Sequence, residues 1–292
     1  MVSRRDLLHA LPMLGSVLLA ARRQPFGQQI ATRRQSRERC PATVQELLNL
    51  AATVEALTTT FYYGAITTPE GFFAGLPTSY QRYLRLALDA EWFHYRHLVE
   101  QQGATPVQTA FHFPVDSFAV GRFSNFLATL DLLEVATLAC YLATSRRLGE
   151  LNELALAALF GQMAGIEAEH RVMGREMAQN SPPAPNNLCY ERADFVCATE
   201  VNQVWVRYFN GGAGFIGPVA LPDQTQVISA VNGVTCEAVS PLAVMTCPES
   251  LTDILNAAAT AEALVLPSTI TLSKAAFSRN LAPPSSGICR PH

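Results

Sequence analysis

The sequence predicts an all-α fold: a four-helix bundle with one long crossover, followed by a Cys-containing C-terminal extension of loops, short strands and a further helix. Three observations carry this expectation. Apolar residues recur at helical spacing in four stretches between residues 41 and 181. The links are short within two pairs of stretches and long between the pairs, which makes two antiparallel hairpins joined by a crossover. The stretches also carry one set of residues twice, a lone Glu followed by Glu-x-x-His: Glu55, then Glu91 and His94, then Glu134, then Glu167 and His170.

Residues 1–40 read as a leader. Ser3-Arg4-Arg5-Asp6-Leu7-Leu8 resembles a twin-arginine export motif, and an apolar run over 7–21 follows. Leu7 stands where Phe is usual in such motifs, and no A-x-A cleavage site precedes Arg22. The expected destination is the periplasm, the cell wall or the outside of the cell, reached in the folded state. Cysteine usage agrees with an oxidising compartment. Cys40, Cys189, Cys197, Cys236, Cys247 and Cys289 flank or follow the bundle and are disulfide candidates whose pairing the sequence leaves open. Cys140 falls inside a predicted helix and reads as a buried free thiol. No C-x-x-C spacing occurs, which argues against a zinc knuckle.

The first helix is expected over 43–66, capped by Thr43 with Glu46 three residues on, and ended by Thr67-Thr68-Pro69. The second is expected from Ser79 to just before Gly103, with Leu84, Leu86, Ala87, Ala90, Glu91 and His94 as its inner stripe. The third is expected over 123–145 and the fourth over 150–179, ahead of Ser181-Pro182-Pro183. The crossover, 102–123, is long enough to run the length of the bundle. The extension, 182–292, contains a loop at 210–214, a strand or helix end around Val204, Trp205 and Val206, and a short β-like pattern at 226–234. A helix over 251–264 is capped by Ser250 with Asp253 in its box. That last helix nearly repeats residues 47–57, with Glu262 matching Glu55.

Bulk properties exclude several classes. The chain is 49% hydrophobic and 15% charged, a globular balance. Eight of its 21 basic residues lie in the first 39, whereas 22 of its 24 acidic residues lie beyond residue 40, so the body is acidic and nucleic acid is not an expected partner. No run in the body is apolar for the eighteen or so residues of a membrane span.

Glu and His three apart on a helix share one face and can reach one point. Two such pairs and two lone glutamates supply four carboxylates and two imidazoles, the donor set of a dinuclear metal centre in a helix bundle. Hard oxygens balance two divalent ions and the imidazoles leave open positions. Without ions, four carboxylates buried together repel, and their pKa values rise. The metal-ligand candidates are therefore Glu55, Glu91, His94, Glu134, Glu167 and His170. Thr58 and Tyr62 follow Glu55 at the spacing at which Thr137 and Tyr141 follow Glu134, which makes these four the candidate supports of the ligands. His97 is a further neighbour, His112 and the pair Trp92 and Phe93 read as packing, and Glu169 points off the ligand face.

Over roughly 43–180 the chain resembles the exported ferritin-like domain proteins of bacteria, which are related to plant desiccation-related proteins. The resemblance lies in Leu-Asn-Leu-Ala-Ala-Thr-Val-Glu-Ala-Leu at 48–57 and its preceding Leu47, in Phe61-Tyr62-Tyr63, and in the Glu and Glu-x-x-His set. It implies a ferritin-like bundle with Glu55 and Glu134 as terminal ligands, Glu91 and Glu167 as bridges, and one metal on each of His94 and His170. The implied cofactors are two metal ions, iron first and manganese as the alternative. The implied activity is reaction with O₂ or peroxide, as a ferroxidase or in protection against oxidative or desiccation stress. The rivals are a manganese catalase-like enzyme and a non-enzymatic structural protein of the envelope. The implied partners are metal ions and O₂ or peroxide, with no stable membrane span once the signal is removed and with homo-oligomers admitted.

Overall fold

The computed structural model describes residues 40–178 and 190–237, together with Thr252, 254–256 and 258–259. The chain divides into two compact units, residues 1–239 and 240–292. In the second unit the described residues are helical and exposed, and they lie within the helix expected at 251–264. Residues 1–39 of the leader, Cys189, Cys247, Cys289, Ser250, Asp253 and Glu262 lie outside the described residues.

The first unit is built on four long helices. Helix α1 (Val44–Thr67) is capped as its sequence predicts, with a Thr43–Glu46 capping box. It is buried on nearly every side from Leu47 to Tyr62, with Thr53, Glu55, Thr58, Thr59 and Thr60 enclosed among its apolar residues. Helix α2 (Thr78–Arg96) runs on into a π-helical turn, His97–Gln101, and pairs with α1. Its buried stripe is Leu84, Ala87, Leu88 and Glu91. Leu86 and Ala90, expected on that stripe, are only half-buried, and Leu88 takes the inner place.

Helices α3 (Phe123–Glu150) and α4 (Leu154–Met177) form the second hairpin. Helix α3 outlasts its expected end at residue 145. Leu148 is fully buried, and Arg147 pairs with Glu150 at 3.3 Å, so the last turn remains anchored. The reversal falls at 151–153, where Asn152 takes φ 66°, a left-handed conformation that Asn tolerates. The expectation that no span-length apolar run exists needs correcting. Helix α3 has a window of mean hydropathy 1.7, long and apolar enough to cross a membrane by length and composition. With 67% of that window buried, α3 is a core helix of the bundle.

The crossover is fastened along the first half of α1. Asn49 Oδ1 accepts from the Thr105 amide at 2.7 Å, and Thr53 Oγ1 accepts from the Val107 amide at 2.9 Å. The crossover then forms strand β1 (Ala110–Pro114), which pairs antiparallel with β2 (Phe215–Ala220) across a bulge between Phe111 and Phe113. Gly217, at φ 129°, permits the close approach: a Cβ there would lie 2.7 Å from the Phe111 carbonyl oxygen. Below the sheet, Phe113 and Phe118 stack around Phe61, with ring centroids 5.4 Å away in each case, and Phe126 lies parallel to Phe61 at 4.9 Å. These rings close one end of the bundle.

The segment after residue 190 packs onto the bundle. The Val204–Val206 stretch lies in helix α5 (Asn202–Asn210), with Trp205 fully buried. Residues 211–214 are the expected loop. The β-like pattern at 226–234 is a misreading: Gln224–Val231 is helix α6, and it packs against α1 and α2. Its Val227, Ala230 and Val231 are buried at helical spacing, and an Asp223–Gln226 capping box starts it. Cys40 and Cys197 form a disulfide. Cys140 is a buried free thiol pushed up to about 12 by burial, and Cys236 carries no disulfide among the described residues.

Replacing Cys40 and Cys197 together by Ser is expected to lower unfolding stability by about 2–5 kcal/mol, since the bridge closes a long loop in the denatured chain. Helical content should be retained. Thermal melts followed by circular dichroism, with and without reductant, check this; a melting temperature indifferent to reductant would refute it.

Candidate metal centre

Helices α1, α3 and α4 deliver their candidate ligands from interior turns, whereas Glu91 and His94 lie in the last two turns of α2, ahead of the π-helical turn that continues it. Glu55, Glu91, Glu134 and Glu167 are fully buried. His170 is 4% exposed, and the His94 side chain is 12% exposed. The six residues converge in two overlapping groups. Glu55, Glu91, His94 and Glu167 form one, and Glu91, Glu134, Glu167 and His170 form the other. Within each group every residue offers one ligand atom, all within 4.8 Å of one another. Glu91 and Glu167 belong to both.

The distances show how the groups interlock. His94 Nδ1 lies 3.6 Å from Glu55 Oε2 and 3.7 Å from Glu167 Oε1. His170 Nδ1 lies 2.7 Å from Glu91 Oε1, 3.5 Å from Glu167 Oε2 and 3.8 Å from Glu134 Oε1. Glu167 thus turns one oxygen towards each histidine.

The residues behind the ligands are those of the repeated Glu-x-x-Thr-x-x-x-Tyr pattern, and they act across the bundle. Tyr62 on α1 donates to Glu134 Oε1 on α3 at 2.6 Å, and Tyr141 on α3 donates to Glu55 Oε1 on α1. Thr58 donates to Glu91 Oε2 at 2.8 Å. Thr137 occupies the corresponding place on α3, but its buried hydroxyl has no hydrogen-bond partner. His97 stands apart, stacked on Phe93 and 3.1 Å from the Gln102 amide nitrogen. His112 packs in β1 against Gly211 and Gly217, Glu169 is exposed, and Trp92 stacks on Tyr95.

Tyr83 is the neighbour that the sequence reading missed. Its hydroxyl donates to the His170 carbonyl at 3.2 Å, and its ring meets the His170 imidazole edge-on, as does that of Tyr62. The signal was present, since Ala87 and Glu91 follow Tyr83 at four and eight residues, along one face of α2.

Electrostatics set the demand of this site. Burial, and then the charges of neighbouring carboxylates, push Glu55, Glu134 and Glu167 well above the usual carboxylate range. Burial acts in the same sense on Glu91, but its contact with His170 outweighs it and holds Glu91 down at about 2. Burial opposes protonation of His170 too, yet Glu91 raises its pKa, whereas burial lowers His94 to about 4. Five buried candidate ligand atoms have no hydrogen-bond partner, namely Glu55 Oε2, His94 Nδ1, Glu134 Oε2 and both oxygens of Glu167, while Glu91 Oε1 and His170 Nδ1 meet only each other. Buried polar atoms without partners are costly. These face one another in two groups of carboxylate and imidazole donors, so they could hold a metal ion in each.

The family model described as a ferritin-like domain matches residues 43–180, the segment that holds all four long helices and all six residues. No curated protein and no solved structure matches the chain.

In metal-free protein, Glu167→Gln is expected to raise stability at pH 8 by about 1–3 kcal/mol, because it removes a buried carboxyl that folding must either protonate or leave charged and desolvated. The Glu167 pKa is raised on folding. Its contribution is therefore fully present below the unfolded value and is lost as pH rises towards the folded one. The advantage of the variant should accordingly shrink as pH falls towards about 4. Urea unfolding of chelator-treated protein at both pH values tests this; equal stability at pH 8 would contradict it.

Proposed function

We propose that the chain is an exported ferritin-like protein whose bundle holds a dinuclear metal centre, iron in the first instance, that reacts with O₂ or peroxide as a ferroxidase or in stress protection. One observation carries the reading: two overlapping groups of buried carboxylate and imidazole donors that share Glu91 and Glu167. In this assignment Glu55 and His94 would hold one ion and Glu134 and His170 the other, with Glu91 and Glu167 available to both. When bound, two redox-active ions supply the electrons for reducing O₂ or peroxide.

The chain's own residues prepare that chemistry. The phenols of Tyr62 and Tyr141 fix Oε1 of Glu134 and of Glu55 and leave the second oxygen of each carboxylate without a partner; that of Glu55 faces His94. Thr58 fixes Oε2 of Glu91. The rings of Tyr62 and Tyr83 shield His170 from water. Protons held on the raised carboxylates and on His170 must leave for these atoms to become ligands, so metal uptake is coupled to proton release. The twin-arginine-like motif supports export, as does the Cys40–Cys197 disulfide, which suits an oxidising compartment.

Manganese uses the same donors, so a manganese catalase-like enzyme is the second reading. The disulfide-tied extension favours a third, a non-enzymatic envelope protein in which metal acts as a staple. Elemental analysis of the exported protein is expected to find about two iron ions per chain. Glu91→Ala/Glu167→Ala should lose both and abolish Fe²⁺ oxidation by O₂, while His94→Ala should keep about one. Two manganese ions with rapid peroxide dismutation would replace iron by manganese in the proposal. Metal bound without turnover would favour the staple, and folded parent protein that binds no metal would overturn both enzymatic readings and leave the structural scaffold.

A further inference from the structure

A second polar site lies away from the ligand groups, where α1, α2 and α6 meet. A cavity of about 470 Å³ opens there, lined by Tyr63 and Ile66 of α1, Arg85 of α2, and Thr225, Gln226 and Ser229 of α6, with Phe73 as one wall. No carboxylate lines it. Among the described residues Arg85 has no ion pair and no hydrogen bond, and its Nε is buried without a partner. Its guanidinium carbon lies 5.1 Å from the centre of the Phe73 ring, which holds the planar group in place. In a body with an excess of acidic residues, an arginine placed this way lacks the acceptor that a shielded guanidinium N–H requires.

We propose that this cleft binds a small organic carboxylate. A guanidinium presents two parallel N–H donors that match the two oxygens of a carboxylate. Tyr63, Thr225, Gln226 and Ser229, which carry hydroxyl and amide groups, line the same cleft. The Gln226 carbonyl oxygen is already engaged by the Asp223 amide at 2.9 Å, which leaves its amide nitrogen as the donor. Phe73, Ile66 and Ala230 offer apolar surface to the body of the ligand, which inorganic phosphate would not use. The site is independent of the metal assignment, because none of the six ligand residues lines it.

Titration calorimetry and NMR shift mapping on the full chain, with benzoate as the probe and inorganic phosphate as the second arm, test the proposal. Benzoate is expected to bind saturably and to shift resonances of α6. Arg85→Gln should weaken binding at least tenfold with the circular dichroism spectrum unchanged. Ser229→Glu, an exposed position, should abolish binding by placing a like charge in the cleft, and it serves if the arginine variant does not fold. Phosphate binding tighter than benzoate would overturn the assignment to an organic acid. No saturable binding of either probe, or binding indifferent to both variants, would overturn the site.

Discussion

The structure turns on the burial of four carboxylates and two imidazoles at the centre of an apolar bundle. Nothing in hydrophobic packing calls for them there; charged groups in such a place are unfavourable unless paired or bound to metal. The surroundings accommodate them consistently. α1 and α3 are buried along most of their length, so the ligands they carry sit in a dry interior. The phenylalanines around Phe61 close one end of the bundle, and the crossover and its sheet cover one side.

The support of the ligands is crossed between hairpins. A tyrosine on α1 holds a glutamate on α3, and a tyrosine on α3 holds a glutamate on α1. Each hairpin therefore positions part of the other's ligand set, and neither half completes a site alone. The threonines break this near-symmetry. Thr58 donates to Glu91, while Thr137 makes no such contact with Glu167, so of the two shared carboxylates one has a hydroxyl donor and the other has none.

The bundle and the clustering of its candidate metal ligands were legible because both are written in local spacing. Apolar periodicity marks each long helix, and Glu-x-x-His on one face needs only helix geometry to converge. What was not legible depends on long-range partners. The strand in the crossover exists because residues 215–220 come back to pair with it. Helix α6 was misread because a short alternation of apolar residues was weighed above the Asp223–Gln226 capping pair that starts it. The end of α3 was placed too early because the anchoring of Leu148 is a tertiary fact. The Cys40–Cys197 pairing depends on the extension folding back to the start of α1, which no spacing encodes.

That bridge spans a sequence separation of 157 residues, and all four long helices with all six ligand residues lie between its ends. Covalently, the bundle is a closed circle. A single nick anywhere in that circle, even in the crossover, opens the ring without dividing the molecule. The cut chain still carries every ligand on one covalent body, and the bridge must be reduced as well before any of the ligands can part company with the rest.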